Sequence, residues 1–414
     1  MRQGQPTDSL QKMKRLLHIF TLLLLFCTSA AAQSLQADST ATAAQSQKDS
    51  LSISLLTCSP GSAVYELYGH FALRVKDMRG DVTQDWVFNY GMFSFKRPHF
   101  IWHFVLGETD YQLGVVPYSL FYDEYARDGR GITEQHINLT QPEAQKLADA
   151  LGVNLQPENA TYRYNFFYDN CTTRALHMVE SAVDGTVVWP TGKTGTSLRD
   201  IVHEFSARSP WNSYGQDLLL GAEADREADV QKQMFAPLYA QNYAEKAVIR
   251  DRSGKTRPFV GEAVTLLPAQ PGLLKESKYP SPIWAFGILF VMTVAAAFYE
   301  LRKGKRLWKL DALFLLAQGL TGCIIAFLFF FSTHPAVGSN WLVALFNPLP
   351  LLYLPWFMKR AVNRQNQRVA GIGELTLCAV TAIAGIAGLQ VYAPATWFII
   401  AMLALRGAMM LRKN

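Results

Sequence analysis

Apolar positions fall into two patterns along the chain. Up to about residue 280 they form short runs and alternations between polar turns; beyond Pro280 and Pro282 they fuse into long stretches. Leu51 to Thr57 reads as a strand, ended by the turn-forming segment Cys58 to Gly61. Phe71, Leu73 and Val75 alternate with Ala72 and Arg74, and Asp85 to Tyr90 returns after a polar turn, so 70–90 predicts an antiparallel hairpin. Tyr111 to Val116 and Ile132 to Leu139 are further strands by the same rule, and Tyr162, Tyr164, Phe166 and Tyr168 alternate along another. Thr140 and Glu143 form a capping box that starts a helix to about Val153. Asp169 and Asn170 cap a helix that opens at Cys171 and runs to about Ala182. Ser197 and Asp200 start another, and a longer helix is predicted over roughly 221–247. A small antiparallel sheet with helices to one side makes residues 51–280 an α+β domain.

The second pattern belongs to a membrane. Apolar stretches at about 283–299, 311–331, 341–358, 371–391 and 395–411 each approach the roughly 17 to 25 residues a bilayer requires. They predict an all-α membrane domain of about five transmembrane helices over 281–414, although Pro394 divides the last two, which also fit a re-entrant pair. Arg302, Lys303, Lys305, Arg306 and Lys309 fill the first loop, Lys359, Arg360, Arg364 and Arg368 the third, and Arg412 and Lys413 the tail; the second loop (332–340) and the fourth hold no Lys or Arg. Positive-inside bias then puts the C-terminus in the cytoplasm, and residues 33–282 with the His334 loop on the outer side. At the N-terminus, Lys12, Lys14 and Arg15, the apolar run Leu16 to Phe26 and the small residues before Gln33 predict an export signal over 1–32. Bulky Phe26 ahead of Cys27 departs from a lipoprotein signal. Residues 33–50 are polar and small, a flexible lead-in.

Composition narrows the class. Of 414 residues, 50% are hydrophobic and 17% charged, against about 25% charged in soluble domains, which excludes disorder and a purely cytosolic enzyme. The net charge of +6 does not point to nucleic acid, because residues 283–414 hold 12 Lys/Arg against 3 Asp/Glu and the rest of the chain is net negative. There is no C-x-x-C or H-E-x-x-H signature, so no metal or cofactor is expected. Cys27 leaves with the signal, and Cys323 and Cys378 sit in apolar stretches. Cys58 and Cys171 remain in the exported domain, where a disulfide between them stays an open alternative.

Cys171 carries the most chemistry, because a thiol in the first turn of a helix faces unpaired amides that favour the thiolate, and a nearby imidazolium would lower its pKa further. His70, at the start of a strand after Gly69, supplies that imidazole. A packed apolar cysteine and a hydrogen-bonding strand histidine are the bland alternatives. The joint pattern, a strand histidine about a hundred residues before an Asn-Cys helix start, resembles circularly permuted papain-like enzymes, among them lecithin:retinol acyltransferase-like ones, although the sequence after Cys171 departs from their pattern. Segments 55–75, 88–93, 162–174 and 333–341 together resemble the Lnb N-terminal periplasmic domain family, over nearly the whole mature chain.

The resemblance implies a membrane-bound lipoprotein N-acyltransferase, with a phospholipid as acyl donor and a lipoprotein as acceptor, at a bacterial inner membrane with its catalytic domain in the periplasm. Carried over, Cys171 is the nucleophile and His70 its base. Asn89, on the return strand, is the first choice to orient His70, with Asp85 and His103 behind it. Arg174 either holds a phosphate headgroup or pairs with an acidic neighbour. Asn170 and His334 are further substrate-binding candidates, and the backbone N–H of Cys171 suits an oxyanion. Two rivals stand beside this reading: a cell-wall peptidase or amidase using the same dyad, and a non-catalytic assembly or sensor protein with Cys58 and Cys171 bonded.

Overall fold

The computed structural model describes residues 50–94, 98–272, 274 and 276–412. The expected export signal (1–32), the lead-in up to residue 49, Cys27 and Lys413 lie outside the described residues.

The exported domain is built on β1 (Leu51–Cys58), β2 (His70–Asp77), β3 (Gln84–Met92), β4 (Asp110–Pro117), β5 (Ile132–Ile137), β6 (Thr161–Arg163) and the edge strand β10 (Val260–Leu267). These form one sheet in the order β10-β5-β1-β2-β3-β4-β6, every neighbouring pair antiparallel. The period-2 pattern sends alternate residues to two cores. Leu55, Phe71, Leu73 and Tyr90 pack with Leu147 of α3 (Gln141–Asn154) and with Leu176 and Val179 of α4 (Cys171–Ala182). Leu56, Ala72 and Val87 pack on the other face with Phe121 and Tyr125 of α2 (Tyr118–Arg127). Helices therefore cover both faces, where the sequence pattern placed them on one. The remaining strands, β7 (Gly185–Val188), β8 (Val248–Asp251) and β9 (Thr256–Pro258), form a separate three-stranded sheet.

Two predicted elements break up. The alternating run after Tyr162 leaves the sheet at Arg163, because the Asn165 side chain accepts from the amides of Phe167 and Tyr168 and turns the chain. The long helix over 221–247 becomes a 3-10 turn at Ala222–Asp225, α7 (Val230–Gln233) and α8 (Pro237–Ala244). Extended Arg226, the cap at Asp229 and Pro237 each interrupt it. The sequence pattern also did not reveal α1 (Phe100–Leu106), or α6 (Pro210–Leu219) after the predicted α5 (Leu198–Ser206).

The membrane region holds α9 (Pro282–Lys303), α10 (Trp308–Phe331), α11 (Leu349–Val362), α12 (Arg368–Ile386) and α13 (Pro394–Met410). The expected five helices are there: α9, α10 and α12 are each long and apolar enough to cross a bilayer, and α11 and α13 are shorter, with 14 and 17 residues. The stretch 341–358 shortens because Pro348 and Pro350 restart the helix after a 3-10 turn. Pro394 takes the first position of α13, a helix of its own. Buried Arg406 of α13 pairs with Glu300 of α9 at 3.0 Å and with Asp311 of α10 at 2.7 Å, the pairing an intramembrane charge needs.

The loop 332–340, between α10 and α11, docks on the sheet domain. Thr333 N donates to the Leu106 carbonyl at 2.8 Å and its hydroxyl to the Gly107 carbonyl at 3.0 Å. Gly221 N donates to the Ala336 carbonyl at 2.9 Å, and Asn340 Nδ2 to the Leu218 carbonyl at 2.7 Å. Beneath this seam, Arg199, only 2% exposed, pairs with Asp217 and Asp225.

Candidate active site

Cys171 is the first residue of α4, and its neighbour makes that helix start rigid. Asn170 Oδ1 accepts from the amides of Thr172 at 2.9 Å and Thr173 at 3.0 Å, while its Nδ2 donates to the carbonyls of Phe166 and Phe235. Buried and bonded at both ends of its amide, Asn170 holds the helix start. The N–H of Cys171 precedes the first intrahelical bonds and lies on the side of its own sulfur, with no oxygen acceptor among the described residues.

His70 opens β2 behind Gly69, whose φ is +85° and where a Cβ would run into the Cys58 carbonyl oxygen. Only glycine lets the chain approach β1 that closely. Across the sheet, His70 Nε2 lies 3.1 Å from Asn89 Oδ1. Of the three groups considered for orienting the ring, Asn89 is the one the fold brings to it: Asp85 is held by Arg74 at 2.6 Å, and His103 faces Glu108 at 3.7 Å.

The thiol meets this strand end. The amide of Phe71, the residue after His70, is directed at the Cys171 sulfur, as are the amides of Cys171 and Thr172. On the β3 side, Gly91 at φ +86° leaves room for it, since a Cβ there would stand 3.4 Å from Cys171 Cβ. No hydrogen bond joins the His70 ring to the sulfur among the described residues; the side-chain partner of Sγ is Thr172 Oγ1 at 3.9 Å.

Burial decides both charge states. It pushes the Cys171 thiol above its ordinary value of 9.0, against the pull of the three amides. It lowers His70 to about 4, with the Asn89 hydrogen bond opposing and the nearby Arg130 cation adding to the drop. The resting pair is thus thiol and neutral imidazole. This corrects the thiolate and imidazolium expected from the helix start, because desolvation outweighs the helix amides here.

Of the other predicted residues, Arg174 makes the acidic pairing that was one of its two expected roles. Arg174 makes a two-pronged ion pair with Asp169, at 2.8 and 2.5 Å, and its guanidinium lies 4.0 Å over the Tyr162 ring. His334 Nε2 lies 2.5 Å from the Phe104 carbonyl oxygen, so this ring pins the outer loop to α1. Cys58 and Cys171 are both free. The disulfide alternative is overturned, and the Cys58 thiol is buried and pushed up to about 12 by that burial.

Two residues escaped the sequence reading. Arg130 is buried, donates to the Ser59 carbonyl at 3.0 Å and pairs with Glu66 at 3.4 Å, which fixes a cation close to His70. Tyr162 has a buried hydroxyl with no hydrogen-bond partner among the described residues, within 4.0 Å of where a Gly91 Cβ would stand. Only the tyrosine had a signal, its place in the alternating aromatic run before Cys171.

Comparison with known families decides the relationship. The Lnb N-terminal periplasmic domain matches residues 37–202, and the Lnb transmembrane domain matches residues 274–414, well over half the chain together. The chain belongs to the Lnb family. No curated protein and no solved structure matches it. Lnb membership makes this a membrane protein with a periplasmic domain joined to membrane helices, supports a place at the inner membrane, and suggests a membrane enzyme that modifies lipoproteins.

Proposed function

We propose that this protein is a lipoprotein N-acyltransferase using the Cys171 and His70 dyad in a permuted papain-like site. One observation carries the reading: the Cys171 sulfur sits at the amide that follows His70, while Asn89 Oδ1 accepts from Nε2 of that imidazole and leaves Nδ1 as the base. His70 Nδ1 takes the proton of Cys171 as the sulfur attacks an ester carbonyl of a phospholipid. The Cys171 N–H and the orphan Tyr162 hydroxyl are the donors for the oxyanion. The ester C–O bond breaks, His70 returns the proton to the departing lysophospholipid oxygen, and a thioester remains on Cys171. The α-amino group of a diacylglyceryl-cysteine lipoprotein then attacks the thioester. His70 takes the amine proton, the S–C bond breaks, and the thiol is restored.

Both substrates are lipids in the outer leaflet, and the docked loop 332–340 holds the site against the membrane helices, which favours lipid over cell-wall peptide. Basic loops put the C-terminus in the cytoplasm. The mechanism calls for no cofactor and no nucleic acid.

The test is incubation of the full-length protein in detergent with phosphatidylethanolamine, followed by mass analysis. An acyl adduct on Cys171, absent in Cys171→Ala and His70→Ala, is the expected result. Cleavage of a cell-wall peptide without an adduct would establish the peptidase instead.

A further inference from the structure

The acyl chain needs a way from the bilayer to the thiol, and a run of aromatic rings spans that distance. Tyr164 stands 3.7 Å from the point a Cβ on Gly91 would occupy, and that point is itself 3.4 Å from Cys171 Cβ. Tyr111 stacks on Tyr164 at 4.1 Å, Phe93 on Tyr111 at 5.0 Å, Phe100 on Phe93 at 5.8 Å and Phe104 on Phe100 at 6.2 Å. All four pairs lie within 25° of parallel, so the rings form a continuous wall, not separate clusters.

The far end of this wall lies at the membrane. Phe100 and Phe104 belong to α1, whose Trp102 packs 5.2 Å from Phe327 of α10. Near it, α10 presents Phe330 and Phe331, each about two-thirds exposed, and α1 leaves Ile101 75% and Trp102 55% exposed. In water such a patch is costly; continuous with a lipid-facing helix, it is an interfacial surface. The chain of a phospholipid occupies one leaflet, roughly 15 Å of the ~30 Å hydrocarbon core. Followed from ring to ring, the wall is at least that long.

We infer that α1 and this aromatic wall are the track along which one acyl chain of an outer-leaflet phospholipid leaves the bilayer and brings its ester to Cys171. The inference rests on the acyltransferase reading and names the part of the site that holds the donor chain. Polar phenols close the track at the thiol end, and the apolar face of α1 opens it beside α10.

Two measurements on the full-length protein in phospholipid vesicles test it. In the first, Cys171→Ala protein is irradiated with phosphatidylethanolamine carrying a diazirine at the end of one acyl chain. Cross-links on 93–111 are expected; cross-links confined to α9–α13 overturn the track. In the second, unsubstituted protein and the Trp102→Asp variant are offered dipalmitoyl and dihexanoyl phosphatidylethanolamine. The palmitoyl-to-hexanoyl ratio of the Cys171 adduct is expected to fall at least ten-fold in the variant, and an unchanged ratio overturns the track. Ile101→Asp gives the same reading if Trp102→Asp does not fold. Absence of an adduct from either lipid in the unsubstituted protein counts against the acyltransferase reading, and the cross-linking still decides the track.

Discussion

His70 Nε2 lies 3.1 Å from Asn89 Oδ1, and Asn89 Nδ2 is directed at the Val87 carbonyl at 3.5 Å. An amide oxygen only accepts, so Nε2 must carry the hydrogen and the lone pair of the neutral ring sits on Nδ1. The residue that orients the imidazole therefore also selects its tautomer. Replacing Asn89 with Ala frees the ring to adopt the wrong tautomer. We expect acyl-enzyme formation to slow about 10- to 100-fold, the usual cost of losing such an orienting partner, with little change in the amount of folded protein. Rapid-quench detection of the Cys171 adduct reads the rate; an unchanged rate would remove Asn89 from the site.

The low pKa of His70 sets a pH profile with a definite sign. Its base form is present at all pH above about 4, so the rate of thioester formation should stay level from pH 8 to about 5 and decline only as pH approaches 4. An acid limb near 6.5, the value for a solvated imidazole, would show that the ring is not buried as described. Stability follows the same group. Folding holds His70 neutral while the unfolded chain binds a proton below about 6.5, so the unfolded state carries more protons between 6.5 and 4. Its contribution is complete above the unfolded value and is lost as pH falls through that window. Thermal unfolding at pH 7 and pH 5 should differ in that direction, and less so in His70→Gln.

How much of this was legible in the sequence follows from the range of each interaction. The strands from Leu51 to Ile137 and the caps at Asn170, Thr140 and Ser197 are local, and their alternation or side-chain oxygen betrays them. Register across β2 and β3 followed from the hairpin, which is why Asn89 was reachable as the partner of His70. The charge state of the pair was not, because it depends on burial and on Arg130, whose proximity comes from β5 pairing with β1. The break-up of 221–247 was hidden in the same way: Pro237 is visible in the sequence, but the long apolar periodicity outweighed it. Helix α1 went unread because its apolar residues have no polar face to set a period; they lie against other rings and α10.

Gly91 is a second place where backbone and thiol meet. At φ +86° an L-residue pays about 1–2 kcal/mol, and the new Cβ stands 3.4 Å from Cys171 Cβ. Gly91→Ala should lower the melting temperature by a few degrees and slow alkylation of Cys171 by iodoacetamide. Wild-type alkylation in a destabilised variant would mean that Gly91 serves only the turn of β3.

The joint between the exported domain and the membrane helices depends on one buried cation. Arg199 Nη1 lies 2.8 Å from Asp217, its Nε lies 2.5 Å from Asp225, and its Nη2 donates to the carbonyls of Leu220 and Gly221. Asp225 in turn accepts from the amide of Val391 between α12 and α13, so the pair reaches across the seam. Arg199→Met keeps the bulk but leaves two carboxylates without their shared partner, a loss of about 3–5 kcal/mol for a buried pair. His203 also contacts Asp217, at 2.8 Å, and that contact raises its pKa above the ordinary 6.5. Below its raised pKa, the imidazolium supplies Asp217 with a cation; above it, that partner is lost. The Arg199→Met variant should therefore be least stable at alkaline pH and recover part of the difference near pH 6, with faster proteolysis of the 332–340 loop at pH 8. Equal stability of variant and parent at pH 8 would show that the seam holds through its backbone hydrogen bonds alone.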